Sequence, residues 1–274
     1  MSPLLTALVS VGVALVCVVV TMTVTALRAR QLGVVAVVDV AWGLGFVLVA
    51  VSSTVVAYAA AADSWRTLLL LALVAVWGGR LAWHVRSRAL GEHQGAEDPR
   101  YAEMLGGSLP EVGMAEAVRR VFLVQGVAQW FVSLPVAVGA VLLIEPGWSW
   151  LVWVGVAVWA VGLYFEAVGD RQLAAYKKQP RESRPKVMDQ GLWGWTRHPN
   201  YFGDACVWWG LWLAGGLASG WVAGLATVLC PVAMTLFLRN VTGAKLLERK
   251  MSQREGWDEY AARVPMFFPR PPRR

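Results

Sequence analysis

Apolar windows of roughly 20 residues recur along this chain, and each is long enough as a helix to cross a hydrocarbon core about 30 Å thick. About seven of them fall at Leu4–Leu27, Val34–Ala62, Thr67–Val85, Val121–Ile144, Trp148–Val168, Phe202–Leu217 and Trp221–Leu238. Lipid offers no partner for a bare N–H or C=O, so spans of this length are helices. The expected fold is therefore all-α, a polytopic integral membrane protein with about seven transmembrane helices. Charged residues make up only 16% of the chain, against about 25% in soluble domains. This shortfall excludes a disordered chain and most soluble enzyme folds. The first window lacks a basic segment after Met1 and is too long for the core of a cleaved signal peptide, so it is read as a span.

The net charge of +7 would suit nucleic acid if it lined a soluble face. Instead Arg28, Arg30, Arg86, Arg88, Arg100, Arg119, Arg120 and the stretch Arg171 to Arg197 fall in alternate inter-span segments, and a basic tail begins at Arg239. The turns between them carry Arg66 alone. Sorted this way, the charge is a positive-inside signal, with the N-terminus outside and the C-terminus cytoplasmic, and no nucleic-acid partner is expected. Cys17, Cys206 and Cys230 show no paired spacing, and His84, His93 and His198 form no HxxxH motif. Neither a disulfide framework nor a metal site is expected.

A charge within a span costs about 2.5–3.5 kcal/mol on insertion scales and needs a partner, a wet cavity or a chemical role. Asp39 is such a charge, in VVDVAWGLGFV, and reads either as half of a bundle-holding ion pair, with an arginine such as Arg80, or as a ligand-facing acid. Arg80 and His84 share a helical stripe with Trp77 and Arg88. His84 is a candidate proton donor there, with snorkelling to the interface as the structural alternative. Gln125, Gln129 and Ser133 form a row suited to interhelical hydrogen bonds. Glu166, Asp170 and Lys177 form another as the fifth window ends, where two acids on one face require donors.

The densest polar block is GLWGWTRHPNYFGDACVWWGLWLAGG, from Gly191 to Gly216. Pro199 should end regular structure at His198, with Asn200 as the N-cap of the sixth span. Arg197 and His198 then stand beside free N–H groups, suited to phosphate or carboxylate, with Tyr201, Trp208 and Trp209 just below.

With DVAWGLGF, EDPRY (Glu97 to Tyr101), FLVQGVAQWFVSLP, this block and the closing WDEYAARVPMFFP, the chain resembles the bacterial branch of the steroid 5α-reductase-like superfamily. The resemblance implies a single membrane domain over residues 1–274, with 1–120 on the substrate side and 121–274 a reductase-like core that binds NADPH from the cytoplasm. It implies hydride transfer to a C=C bond of a steroid-like or other lipid substrate taken from the bilayer, here the bacterial plasma membrane. Carried over by position, cofactor contacts are implied at Glu166, Asp170, Lys177, Arg197, His198, Asn200, Tyr201 and Trp208, and Tyr260, in the amphipathic tail, is a further candidate that would close over the cofactor. The tyrosine that animal relatives set near the substrate carbonyl falls on Trp77, so Asp39, His84 and Tyr101 are the candidate catalytic residues. Isoprenylcysteine carboxyl methyltransferases have a related core, which keeps S-adenosylmethionine as the alternative cofactor. A non-catalytic lipid-binding protein is the third reading.

Overall fold

The computed structural model describes residues 1–89, 97–180, 182–241 and 243–272. His93 lies outside them. Among the described residues all regular structure is helical, with no strand. Six helices are long and apolar enough to cross a membrane. The sixth sequence window differs from expectation: it is a helix over Pro199–Leu211 that loosens into a π-turn at Trp212–Gly216 and a 3₁₀ turn at Leu217–Ser219. Within it Gly215 lies against the backbone of the Met114–Gly139 helix, where a Cβ would sit 2.4 Å from Pro135 O.

The chain divides into two compact units, residues 1–149 with 215–227 and residues 150–214 with 228–274. The first contains helices α1 (Pro3–Leu32), α2 (Val37–Ala59), α3 (Trp65–Arg88), the short α4 (Pro99–Leu105) and α5 (Met114–Gly139). Here α2 packs against α1, α3 and α5. Lipid tails are as apolar as leucine, so these helices associate through close packing and polar ties. At the α2–α3 crossing a Cβ on Gly43 would lie 2.3 Å from Gly78 O, and one on Gly78 would lie 2.6 Å from Gly43 O. Gln129 Nε2 donates to Trp42 O at 2.7 Å, Ser10 Oγ to Ala137 O at 2.7 Å and Trp130 Nε1 to Val11 O at 3.1 Å. Gln129 thus ties α5 to α2 as its row suggested, whereas Ser133, also buried, donates to Trp130 O of its own helix at 2.7 Å. Arg66 is wholly buried too, donating through Nη2 to Leu142 O at 2.7 Å beyond the C-terminal end of α5. A cation is favourable at that negative end of the helix dipole.

The second unit is built on α6 (Ser149–Lys178) and α7 (Pro199–Leu211). Their seam is glycine against glycine at seven-residue intervals. A Cβ on Gly155 would lie 2.5 Å from Gly210 O, one on Gly162 2.5 Å from Gly203 O, and Gly169 abuts Pro199. Trp209 Nε1 adds a hydrogen bond to Thr235 Oγ1 at 3.1 Å, in helix Leu229–Leu236. The chain closes with α8 (Ala244–Met251), α9 (Trp257–Arg263) and an extended strap ending at Pro272.

Candidate functional site

Two polar clusters stand out, one in each unit. The first surrounds Asp39 on α2. Asp98 caps α4 by accepting from Arg100 N at 2.9 Å, and the turn this creates aims Arg100 and Tyr101 at Asp39. The Tyr101 hydroxyl donates to Asp39 Oδ1. Arg100 Nη2 donates to Asp39 Oδ2 at 2.9 Å and to Asp98 Oδ2 at 2.8 Å. Gln125 Nε2 donates to Tyr101 Oη at 3.2 Å. Glu97, just upstream, caps the start of α2 by accepting from Val35 N at 2.6 Å and Ala36 N at 3.0 Å. Asp39 is therefore held by Arg100, 61 residues away, and not by the Arg80 that sequence suggested.

Burial and the Asp39 carboxylate together hold the Tyr101 phenol well above its ordinary range, so it stays protonated. Burial opposes the charge on Arg100, but Asp98 and Asp39 more than compensate and keep it a cation. The result is a neutral acid, 7% exposed, hydrogen-bonded to a carboxylate that an arginine neutralises. Asp39 and Tyr101 are thus brought together. His84, half-buried near the end of α3, takes no part in the bonds they make. Sequence reading missed the role of Arg100, although EDPRY carried the signal.

The second cluster gathers at the N-terminus of α7. Pro199 occupies the first helical position, where its missing N–H costs nothing, so the N-cap is His198 and not Asn200. Asn200 instead accepts from Tyr201 N at 3.0 Å and donates through Nδ2 to Asp170 Oδ1 at 3.3 Å. The His198 ring stacks on Tyr201, with centroids 5.5 Å apart and planes 15° off parallel. Asp170 and Glu166 are both buried on α6, a turn apart, while Lys177 is exposed near its end. Trp208 is buried in α7, 1% exposed, with no solvent-facing ring.

Arg197 turns away from this group. Its Nε and Nη2 donate to Glu248 at 2.8 and 3.0 Å, and Nη1 donates to Ala261 O and Val264 O, both at 2.8 Å. His198 Nε2 lies 3.1 Å from the same carboxylate. Burial pushes the Glu248 carboxyl up, but His198 and Arg197 outweigh it and hold it below the usual range. Thr196 Oγ1 meets Met266 O at 3.2 Å and Phe267 O at 2.9 Å, and Arg270 N donates to Trp195 O at 2.9 Å. Tyr260 is buried on α9 and donates to Trp193 O at 2.8 Å. Burial raises its phenol above the ordinary range. Arg197 and Tyr260 therefore bind the C-terminal segment to the loop before α7.

That latch can be tested directly. Removing one partner of a buried ion pair costs about 3–5 kcal/mol, and with Arg197 and Glu248 only 11% and 18% exposed the lower end applies. Arg197→Ala should lower the thermal midpoint and open residues 252–263 to protease much faster than in the parent. An unchanged cleavage rate would show that the pair braces nothing.

Among the described residues no group of three His, Cys, Asp or Glu side chains is placed to hold a metal ion. The helical architecture and its two polar clusters define a polytopic membrane protein with ionisable groups in its interior. Within that class the chain belongs to the family described as Protein of unknown function (DUF1295), whose sequence profile matches residues 7–264. No curated protein and no solved structure matches the chain significantly.

Proposed function

We propose that this protein is a membrane-embedded, NADPH-dependent reductase of a C=C bond in a steroid-like or other lipid substrate. The observation that carries the proposal is the couple of buried Tyr101 and half-buried Asp39: a phenol kept protonated among apolar side chains suits donation of a proton to a substrate drawn from lipid. The resemblance of DVAWGLGF, EDPRY and RHPNYFG to steroid 5α-reductase-like sequences supports the same reaction class. In this reading the N-terminus is outside and the cofactor is taken from the cytoplasm of a bacterial cell.

The residues around α7 fit a nucleotide in their donor chemistry. The paired Asp170 and Asn200 present a carboxylate and an amide for hydroxyl or carboxamide groups, Lys177 a cation, and His198 with Tyr201 a stacked aromatic face. Arg197, with its N–H groups committed to Glu248 and two carbonyls, acts by keeping the loop in place, as Tyr260 does from α9. Glu166 and Trp208, both buried, support the α6 and α7 backbones that carry these groups. NADPH, when bound, supplies the hydride. Tyr101 gives its proton to the substrate and regains one from water, while Asp39, Arg100 and Gln125 hold the hydroxyl in place. His84 is the remaining candidate acid and is retained as a test position.

Purified protein in lipid nanodiscs should gain thermal stability from NADPH, since a ligand at 100 times its dissociation constant adds about 2.7 kcal/mol. Stabilisation by S-adenosylmethionine alone would instead establish the methyltransferase reading. Indifference to both would leave a lipid-binding protein without cofactor.

A further inference from the structure

A basic recess in the second unit belongs to neither cluster. It has a volume of about 550 Å³ and is lined by Tyr176, Arg184, Pro185, Lys186, Arg254 and Glu255. Three cations thus face one acid. Among the described residues no carboxylate forms an ion pair with Arg184, Lys186 or Arg254. The recess is preformed on its helix side: Tyr176 donates to Pro185 O at 2.5 Å, Arg184 donates to Lys177 O at 3.3 Å, and its guanidinium lies 5.2 Å from the Tyr176 ring centre. With Glu255 its one acid, the recess keeps a net positive charge that a bound anion would neutralise.

The depth of the recess identifies the anion. Helix α6 carries exposed tryptophans at Trp150 and Trp153, 57% and 59% accessible, near its start. Exposed tryptophans at a span end mark the headgroup level. Tyr176 lies 26 residues beyond Trp150, which at 1.5 Å per residue is about 39 Å. A bilayer measures about 30 Å across its hydrocarbon and about 40–45 Å with headgroups, so Tyr176 falls in the opposite headgroup layer, where lipid phosphates lie.

We infer that Arg184, Lys186 and Arg254 form a binding site for the phosphate of an anionic phospholipid headgroup at the end of α6. Two donors on Arg184 suit a phosphate's oxygens, and Lys186 and Arg254 add charge from the loop and from the segment after α8. Basic pockets beside spanning helices recognise headgroups in this way.

The test uses the full chain in nanodiscs of phosphatidylcholine with or without phosphatidylglycerol, and native mass spectrometry to count retained lipid. The parent should retain phosphatidylglycerol, and an Arg184→Ala, Lys186→Ala double variant should lose it at least tenfold. A charge-matched control, Arg171→Ala with Lys178→Ala, removes two exposed cations of the same helix from outside the recess and should retain it. Equal loss in both double variants means diffuse attraction to the surface and overturns the site, as does undiminished retention in the first. Inorganic phosphate and NADPH form a further arm. If either stabilises the parent through Arg184 and Lys186 while phosphatidylglycerol does not, the lipid assignment is overturned. A failure of NADPH to bind anywhere bears only on the reductase reading.

Discussion

Gly162→Leu is expected to leave little folded protein in the membrane. A Cβ at this position would lie 2.5 Å from Gly203 O, 2.7 Å from Val207 N and 2.9 Å from Cys206 Cβ. The first two atoms belong to the backbone of α7, which cannot rotate aside as a flexible side chain would. The contact is reciprocal, because a Cβ on Gly203 meets Gly162 O at 2.5 Å and Glu166 N at 2.7 Å. Any side chain therefore forces the helices apart along the whole seam. Overpacking by a methyl or two ordinarily costs about 1–3 kcal/mol. Leucine against backbone should exceed that, since the loss spreads to Gly155–Gly210 and Gly169–Pro199. Gly79→Leu is the matched control, as nothing lies within 4 Å of a Cβ there. Membrane yield, monodispersity and thermal midpoint should collapse for the first variant and stay at parental values for the second. Equal behaviour of the two would show that α6 and α7 do not meet on glycine.

Tyr101→Phe should reduce turnover by about 10²–10⁴-fold, the usual contribution of a positioned acid, with NADPH-induced stabilisation unchanged. Phenylalanine keeps the ring and removes only the hydroxyl that donates to Asp39 and accepts from Gln125. Asp39→Asn should act in the same direction by a different route, because a neutral amide takes away the charge that pairs with Arg100 and holds the Tyr101 hydroxyl in place. His84→Gln separates the candidates: if it abolishes turnover while Tyr101→Phe does not, the acid is on α3. Should neither variant alter turnover, the proton comes from elsewhere and the Asp39 cluster is a structural tie.

The spans were legible because the bilayer imposes a length and a polarity on each helix, so Leu4–Leu27 in sequence becomes Pro3–Leu32 in the fold. The sixth window was legible as helix, but its change to a π-turn at Trp212–Gly216 and a 3₁₀ turn at Leu217–Ser219 was not. Within the sites, identity was readable and partnership was not. Asp39 could be picked out as expensive, but its partner Arg100 arrives from 61 positions away, by a path that no helical spacing encodes. Arg197 looked like a phosphate ligand because it precedes a helix, whereas its fork is filled by a glutamate 51 positions on. The α6–α7 seam did carry a signal, glycines seven apart at Gly155, Gly162 and Gly169, which falls on one helical face.

The bonds that join Thr196 to Met266 and Phe267 span 70 and 71 positions, and that separation sets an order of events during biosynthesis. A ribosome makes Met266 only 55 residues after Leu211, the last residue of α7. Throughout that interval the loop before α7 must wait with Thr196 and the Trp195 carbonyl unmet by the strap that later ties them. The region proposed to hold the nucleotide is thus finished only once the strap has emerged, so an intermediate stalled before Pro265 would be inserted yet incomplete.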